Sequence, residues 1–298
     1  MRRVLVGGLA ALLWSSVGRA QGVPARDLWE FPLGALFEPP ALAVEPGAGL
    51  WNPATTALAS DARFKFGVAS LSAGAAQSVD GQLLSGSWRR PSGVTWGLSV
   101  ARAAVAGLVR TDSDPQSLGD IPYATTLVSL SAAREVVPHL TAGVAVRWRH
   151  GRADQVGGDA VAADFGAVLH DLPFRHARVA ASSFLWRPGR EINDRPAVLL
   201  AADFRVLGPS ATRELRLGLA QQAVNRGARE RGPFMSARLD RLEARAQYLR
   251  VSAGARTISR VRSGLALHYA RYTVGVAREE GLSGLGPVYQ FTLSSLVR

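Results

Sequence analysis

The chain has 298 residues, 47% of them hydrophobic and 19% charged, with 31 Gly and 16 Pro; this is enough apolar material for a large core and excludes a disordered chain. It has no cysteine, which excludes a disulfide scaffold, a thiolate nucleophile and a Cys-based metal site. Basic residues outnumber acidic ones 35 to 23, a net charge of +12, and all of them except Lys65 are arginine.

Residues 1–20 read as a bacterial signal peptide: Arg2 and Arg3, an apolar run from Val4 to Trp14, then Gly18 and Ala20 before a cut at Gln21. A membrane anchor would need about twenty apolar residues, roughly twice this run. Losing Arg2, Arg3 and Arg19 takes the net charge from +12 to +9. Export makes nucleic acid an unsuitable counter-charge, and points to outer-membrane lipid or lipopolysaccharide phosphate.

Residues 21–61 do not alternate and are rich in Pro and small residues, which suggests an irregular periplasmic or plug segment. Within it, Asn52-Pro53-Ala54 makes a firm corner, because the residue before a proline is driven to extended backbone.

From residue 62 onward the sequence alternates. Leu140, Ala142, Val144, Val146 and Trp148 share one face, with Thr141, Gly143, Ala145, Arg147 and Arg149 on the other. Val161, Ala163 and Phe165 alternate with Ala162 and Asp164 in the same way, as do Tyr289, Phe291 and Leu293 with Gln290, Thr292 and Ser294. Strands are predicted at 62–71, 81–89, 93–102, 122–133, 139–150, 159–170, 176–186, 196–206, 213–223, 233–239, 241–251, 258–267, 269–278 and 286–296.

Segments of about nine to eleven residues suit a tilted strand crossing a bilayer, whereas strands of soluble sheets run nearer five or six. Short connectors (90–92, 135–138, 171–175, 207–211) alternate with long ones (103–121, 151–158, 187–195, 224–232). The predicted fold is therefore all-β: a transmembrane antiparallel up-and-down β-barrel of about fourteen strands over residues 62–298. The turn needed near His268 carries no turn residue, and a count of about twelve would also keep both chain ends on the periplasmic side. Aromatics near strand ends, including Tyr123, Trp148, Phe174, Tyr248 and Tyr269, suggest interfacial girdles.

The polar face carries charge of both signs: Arg63, Lys65, Arg147, Arg149, Asp164, Arg178, Asp203, Arg205, Glu214, Arg216, Glu243, Arg245 and Arg262. An unpaired buried charge costs several kcal/mol, so these groups are expected to pair across strands within the lumen. The sharper alternative is that the arginine excess guides an anionic head group through the barrel. Arg226, Arg229 and Arg231 are expected in an external loop, suited to lipopolysaccharide phosphates.

Gly49-Leu50-Trp51-Asn52-Pro53-Ala54, followed by a small-residue segment ending in Ser60-Asp61-Ala62, resembles the N-terminal region of the FadL-like outer-membrane superfamily, and within it the branch of PorV and PorQ. Ser263-Gly264-Leu265-Ala266-Leu267-His268-Tyr269-Ala270 and Tyr289-Gln290-Phe291-Thr292-Leu293 resemble that branch's closing strands. The resemblance implies a barrel of about fourteen strands with an N-terminal segment inside or beneath the lumen. It also implies either passage or binding of hydrophobic small molecules, or a non-transporting docking or shuttle role with secretion-system proteins. Gly-x-Ser-x-Gly, P-loop, dinucleotide, His-Glu-x-x-His and EF-hand motifs are absent from the sequence, so neither an enzyme nor a cofactor or metal site is expected.

Overall fold

The computed structural model describes residues 23–58, 63–74, 78–111, 117–186, 196–223, 229–253, 256–280 and 286–297; the expected signal peptide lies outside them. Its strands are β1 (Phe64–Ala73), β2 (Val79–Arg89), β3 (Thr95–Val105), β4 (Val109–Thr111), β5 (Ser117–Asp120), β6 (Tyr123–Val137), β7 (Leu140–Ala153) and β8 (Val156–Leu172). They continue with β9 (Ala177–Phe184), β10 (Ala197–Ser210), β11 (Arg213–Ala223), β12 (Arg229–Leu239), β13 (Leu242–Ala253), β14 (Arg256–Tyr269), β15 (Tyr272–Glu279) and β16 (Val288–Val297).

Fourteen of these close one antiparallel barrel in chain order, with β1 pairing both β2 and β16; β4 and β5 form a separate hairpin in the connection from β3 to β6. Closure leaves no strand edge, so the wall satisfies its own backbone groups, as a bilayer requires. The alternation places its faces as expected. Arg147, Arg149 and Thr141 point inward and are buried, while Val144, Val146 and Trp148 point outward at 51%, 42% and 43% exposure. Leu98, Leu130, Phe165, Leu219, Leu265 and Phe291 extend this outward apolar belt around the ring. Apolar side chains outside and charges inside invert the arrangement of a soluble protein and match a bilayer as solvent.

Three features differ from the sequence reading. The connector expected at 151–158 is almost entirely strand: β7 and β8 run on to a two-residue turn at Asp154-Gln155, with Asp154 at φ 53. The glycines at 151, 157 and 158 mimic a loop in the sequence but lie in the ladder. The turn lacking a sequence signal sits at Ala270-Arg271, where an alanine takes the left-handed conformation at φ 52. Tyr123 points into the barrel and donates its hydroxyl to Asp27, so it belongs to no girdle, whereas Phe174, Tyr248 and Tyr269 are exposed.

Six short connections (90–94, 138–139, 173–176, 211–212, 240–241 and 270–271) share one end of the barrel with the start of β1 and the finish of β16. The connections longer than five residues, at 106–122, 185–196 and 280–287, all lie at the other end, which is the pattern of a periplasmic and an external face.

Candidate functional site

The interior of the barrel is occupied by residues 23–58. Val23 and Pro24 lie near the long-loop end, against Gly151, and the segment descends to a single helical turn at Thr55–Leu58 near the short-turn end. Its apolar side chains Leu33, Leu36, Leu42, Leu50 and Trp51 join inward-facing Leu71, Leu83, Leu127, Val168, Phe184 and Leu199 in one buried cluster. Trp51 stacks on Phe184 with ring centroids 4.5 Å apart and donates its indole N–H to the carbonyl of Leu33 at 2.8 Å.

The Asn52-Pro53-Ala54 corner seats this segment on the wall. Asn52 is fully buried; its Nδ2 donates to the carbonyl of Ala41 at 2.7 Å, and its Oδ1 accepts the N–H of Ala54 at 3.0 Å, closing an Asx turn. Below the corner, Gly143 and Gly166 face each other across β7 and β8. A Cβ on Gly166 would strike the Asn52 side chain, and one on Gly143 would strike the Pro53–Ala54 peptide. Only glycine allows this approach.

Wall side chains complete the seating by answering the segment's backbone, whose carbonyls could not be buried without donors. Arg149 donates to the carbonyls of Pro24 at 3.0 Å and Val23 at 3.1 Å, and Arg147 to that of Leu50. Ser85 donates to Pro46 at 2.7 Å and Ser182 to Trp51 at 3.1 Å. Gln290 accepts the Gly34 N–H at 2.8 Å.

The charged residues nominated from the sequence resolve into separate clusters. Arg147 and Asp164 form an ion pair with both side chains fully buried, and Arg147 also lies over the Phe184 ring at 4.8 Å. Asp203 accepts from Arg178 and, at 2.7 Å, from Arg216; Glu214 accepts from Arg205 at 2.8 Å and Arg216 at 3.2 Å. Arg245 pairs with Glu243 at 2.6 Å and with Glu38 of the segment, and Glu243 meets His268 at 2.9 Å. Lys65 pairs with Glu45 of the segment at 2.8 Å and donates to the Val44 carbonyl at 2.9 Å. Burial raises the Glu45 carboxyl, but the Lys65 ammonium and the hydroxyl of Ser294 more than offset this and hold it below the usual glutamate range.

Arg63 departs from the expectation: β1 begins at Phe64, which leaves Arg63 exposed at the barrel rim. The external-loop assignment of Arg229 and Arg231 is also corrected. β12 begins at Arg229, so both lie in the wall with outward, exposed side chains, while Arg226 is outside the described residues. Sequence reasoning missed Glu38, Glu45, Glu230, Arg260 and Glu279. The last three form a buried cluster with Arg262, in which Arg260 meets Glu230 at 3.2 Å and Glu279 at 3.4 Å. Extending the alternation of β12 back to residue 229 would have turned Glu230 inward; nothing in the sequence pairs Glu38 with Arg245.

Two crevices between segment and wall hold about 10 Å³ each, the space of one water. The arginines Arg147, Arg149, Arg205, Arg216 and Arg245 are all engaged by acids or carbonyls rather than presented to a solute. Leu33, Leu36, Leu50 and Trp51 of the segment lie within the buried cluster between the facing walls. A hollow of about 540 Å³ opens instead on the outer face of β9 to β13, over Ala181, Ala202, Leu219, Pro233 and Tyr248.

No protein-family model matches the sequence, and no curated protein matches it. Solved structures share the architecture. The CymD monoaromatic hydrocarbon channel aligns with a TM-score of 0.60 and 10% identity, covering 84% of this chain and 92% of its own. The outer membrane protein Omp33 of Acinetobacter baumannii aligns at 0.48 and 13% identity, over 79% of this chain and 98% of its own. With its closed ring and apolar outer belt, the chain has the fold of an outer-membrane β-barrel channel.

Proposed function

We propose that this protein is a gated outer-membrane barrel of the FadL type that binds or passes hydrophobic small molecules, with residues 23–58 as its closed gate and residues 1–20 as its export signal. The observation that carries this reading is the chemistry of the buried interface. Leu33, Leu50 and Trp51 cover Leu83, Leu127, Phe184 and Leu199, so withdrawing the segment would uncover an apolar patch on a wall that otherwise carries paired charges. The shared fold with CymD, itself a monoaromatic hydrocarbon channel, agrees with an apolar cargo.

The test is reconstitution into vesicles with two readouts: quenching of the lumen tryptophans Trp29 and Trp51 by a monoaromatic hydrocarbon or fatty acid, and swelling in sugar. Saturable quenching without sugar flux is expected. No saturable quenching, together with uptake equal in cells with and without the protein, would overturn the reading.

A second reading, a non-transporting docking subunit of a secretion or surface-attachment system, draws on the filled lumen. It is distinguished by stoichiometric protein partners after purification from outer membranes in mild detergent.

A further inference from the structure

The outer wall carries charge on a face that otherwise meets lipid. Arg231 on β12 and Arg250 on β13 are direct cross-strand neighbours, both pointing outward and exposed, and Arg229 precedes them on the same face. Like charges placed opposite each other in a sheet destabilise it unless something neutralises them. Elsewhere on the surface, Arg213 meets Asp240 at 2.8 Å and Arg278 meets Glu280 at 2.9 Å. Arg229, Arg231 and Arg250 have no ion pair among the described residues.

The pair stands beside the wall's hollow. Arg231 and Arg250 line one side of its 540 Å³ or so, and the rest of the lining is mostly apolar, with Leu200, Leu219 and Tyr248 standing over a floor of alanines and Gly232. The hollow has a backbone cause. Proline cannot donate to a ladder, and the β12–β13 pairing runs through Arg229–Arg231 and Phe234–Leu239 but skips Gly232 and Pro233. The neighbouring small residues leave the resulting depression open. A volume of about 300–1,000 Å³ is the usual size of a small-molecule site.

The position of the pair selects the ligand. Both arginines lie toward the end of the barrel that carries the connections 106–122, 185–196 and 280–287, opposite the start of β1 and the finish of β16, which is the external side of an outer-membrane barrel. We infer that Arg231 and Arg250 bind the phosphate of a phosphorylated glycolipid of the outer leaflet, lipid A in type, while one of its acyl chains lies in the hollow against Leu219 and Tyr248. Guanidinium forks match phosphate oxygens, and bidentate pairs of this kind are the strong ones. The site belongs to the outside of the wall and does not depend on what the lumen does.

The test uses the full chain in mild detergent with added bis-phosphorylated lipid A, counting bound lipid by native mass spectrometry. The expected result is one retained lipid, at least ten-fold weaker retention for R231Q/R250Q, and a comparable loss for A202F, which fills the hollow with the arginines intact. R213Q, at the other end of the barrel, is expected to bind as the parent does. Heat-modifiable migration on a gel reports that each variant is folded, and R250Q alone serves if the double variant is not. Equal retention by R231Q/R250Q, undiminished retention by A202F, or equal binding of dephosphorylated lipid A would overturn the proposal. Complete displacement by millimolar inorganic phosphate would also overturn it, since the arginines would then form a free-anion site.

Discussion

The Arg147–Asp164 pair offers the sharpest test of how the lumen is held together. Both side chains are fully buried, Asp164 also accepts the N–H groups of Leu185 at 3.0 Å and Trp186 at 2.9 Å, and Arg147 reaches from β7 to the Leu50 carbonyl of the internal segment. Removing one partner strands a charge without water, which costs about 3–5 kcal/mol. R147M should lie at the low end of that range, because Asp164 keeps two backbone donors. D164N should lie at the high end, since the guanidinium keeps only the Leu50 carbonyl and the Phe184 face. In R147M/D164N no net charge is buried, and the residual cost is about 1–3 kcal/mol for the unanswered Leu50 carbonyl. The double variant is therefore expected to be more stable than D164N alone, with a coupling of about 5–7 kcal/mol. Urea titration in short-chain phosphatidylcholine vesicles, followed by tryptophan fluorescence and gel shift, measures all four proteins. Additive losses, with coupling under about 0.5 kcal/mol, would refute the argument.

Gly166→Val should unseat the Asn52 corner, because its side chain occupies the place of Asn52 Oδ1 while the β7–β8 ladder stays intact; a rise in single-channel conductance over the parent in planar bilayers checks this. Glu45 titrates below its unfolded value, so its contribution to seating the segment is full above about pH 4.3 and is lost as pH falls through the lower folded value. Protease sensitivity of residues 23–58 should therefore rise on acidification below that point, and E45Q should remove this component. Leu265→Arg places a charge on the lipid face midway along β14 and should cost about 2–4 kcal/mol, against about 0–1 for Leu239→Arg at the rim, in the same vesicle titration.

The barrel was legible because alternation is local: Val144, Arg147 and Trp148 declare their faces through their immediate neighbours, and the same holds for all fourteen wall strands. Boundaries failed where a residue type spoke against its role. The glycines around 151 and 158 imitate a loop within a strand, and Ala270 makes a turn that composition does not announce. The interior was less legible. Asn52-Pro53 could be read as a corner, but its seat is a pair of glycines about a hundred residues away, set by the β7–β8 register. The Glu38–Arg245 and Glu45–Lys65 contacts likewise join an aperiodic segment to the wall, and no spacing in the sequence encodes them. The outward arginines of β12 are plain in the sequence as basic residues, but Gly232-Pro233 imitates a strand boundary beyond the true start at Arg229.

Residues 23–58 precede β1 in the sequence, and β1 is also half of the seam that closes the ring against β16. A closed ring of hydrogen bonds has no side door. The segment seated against β7 and β8, over Gly143 and Gly166, can therefore enter or leave only along the barrel axis. Any such movement is lengthwise, past the arginines that hold its carbonyls. Access is thus axial in this architecture: any exchange between the segment and a solute runs through the two open ends of the ring and not between strands.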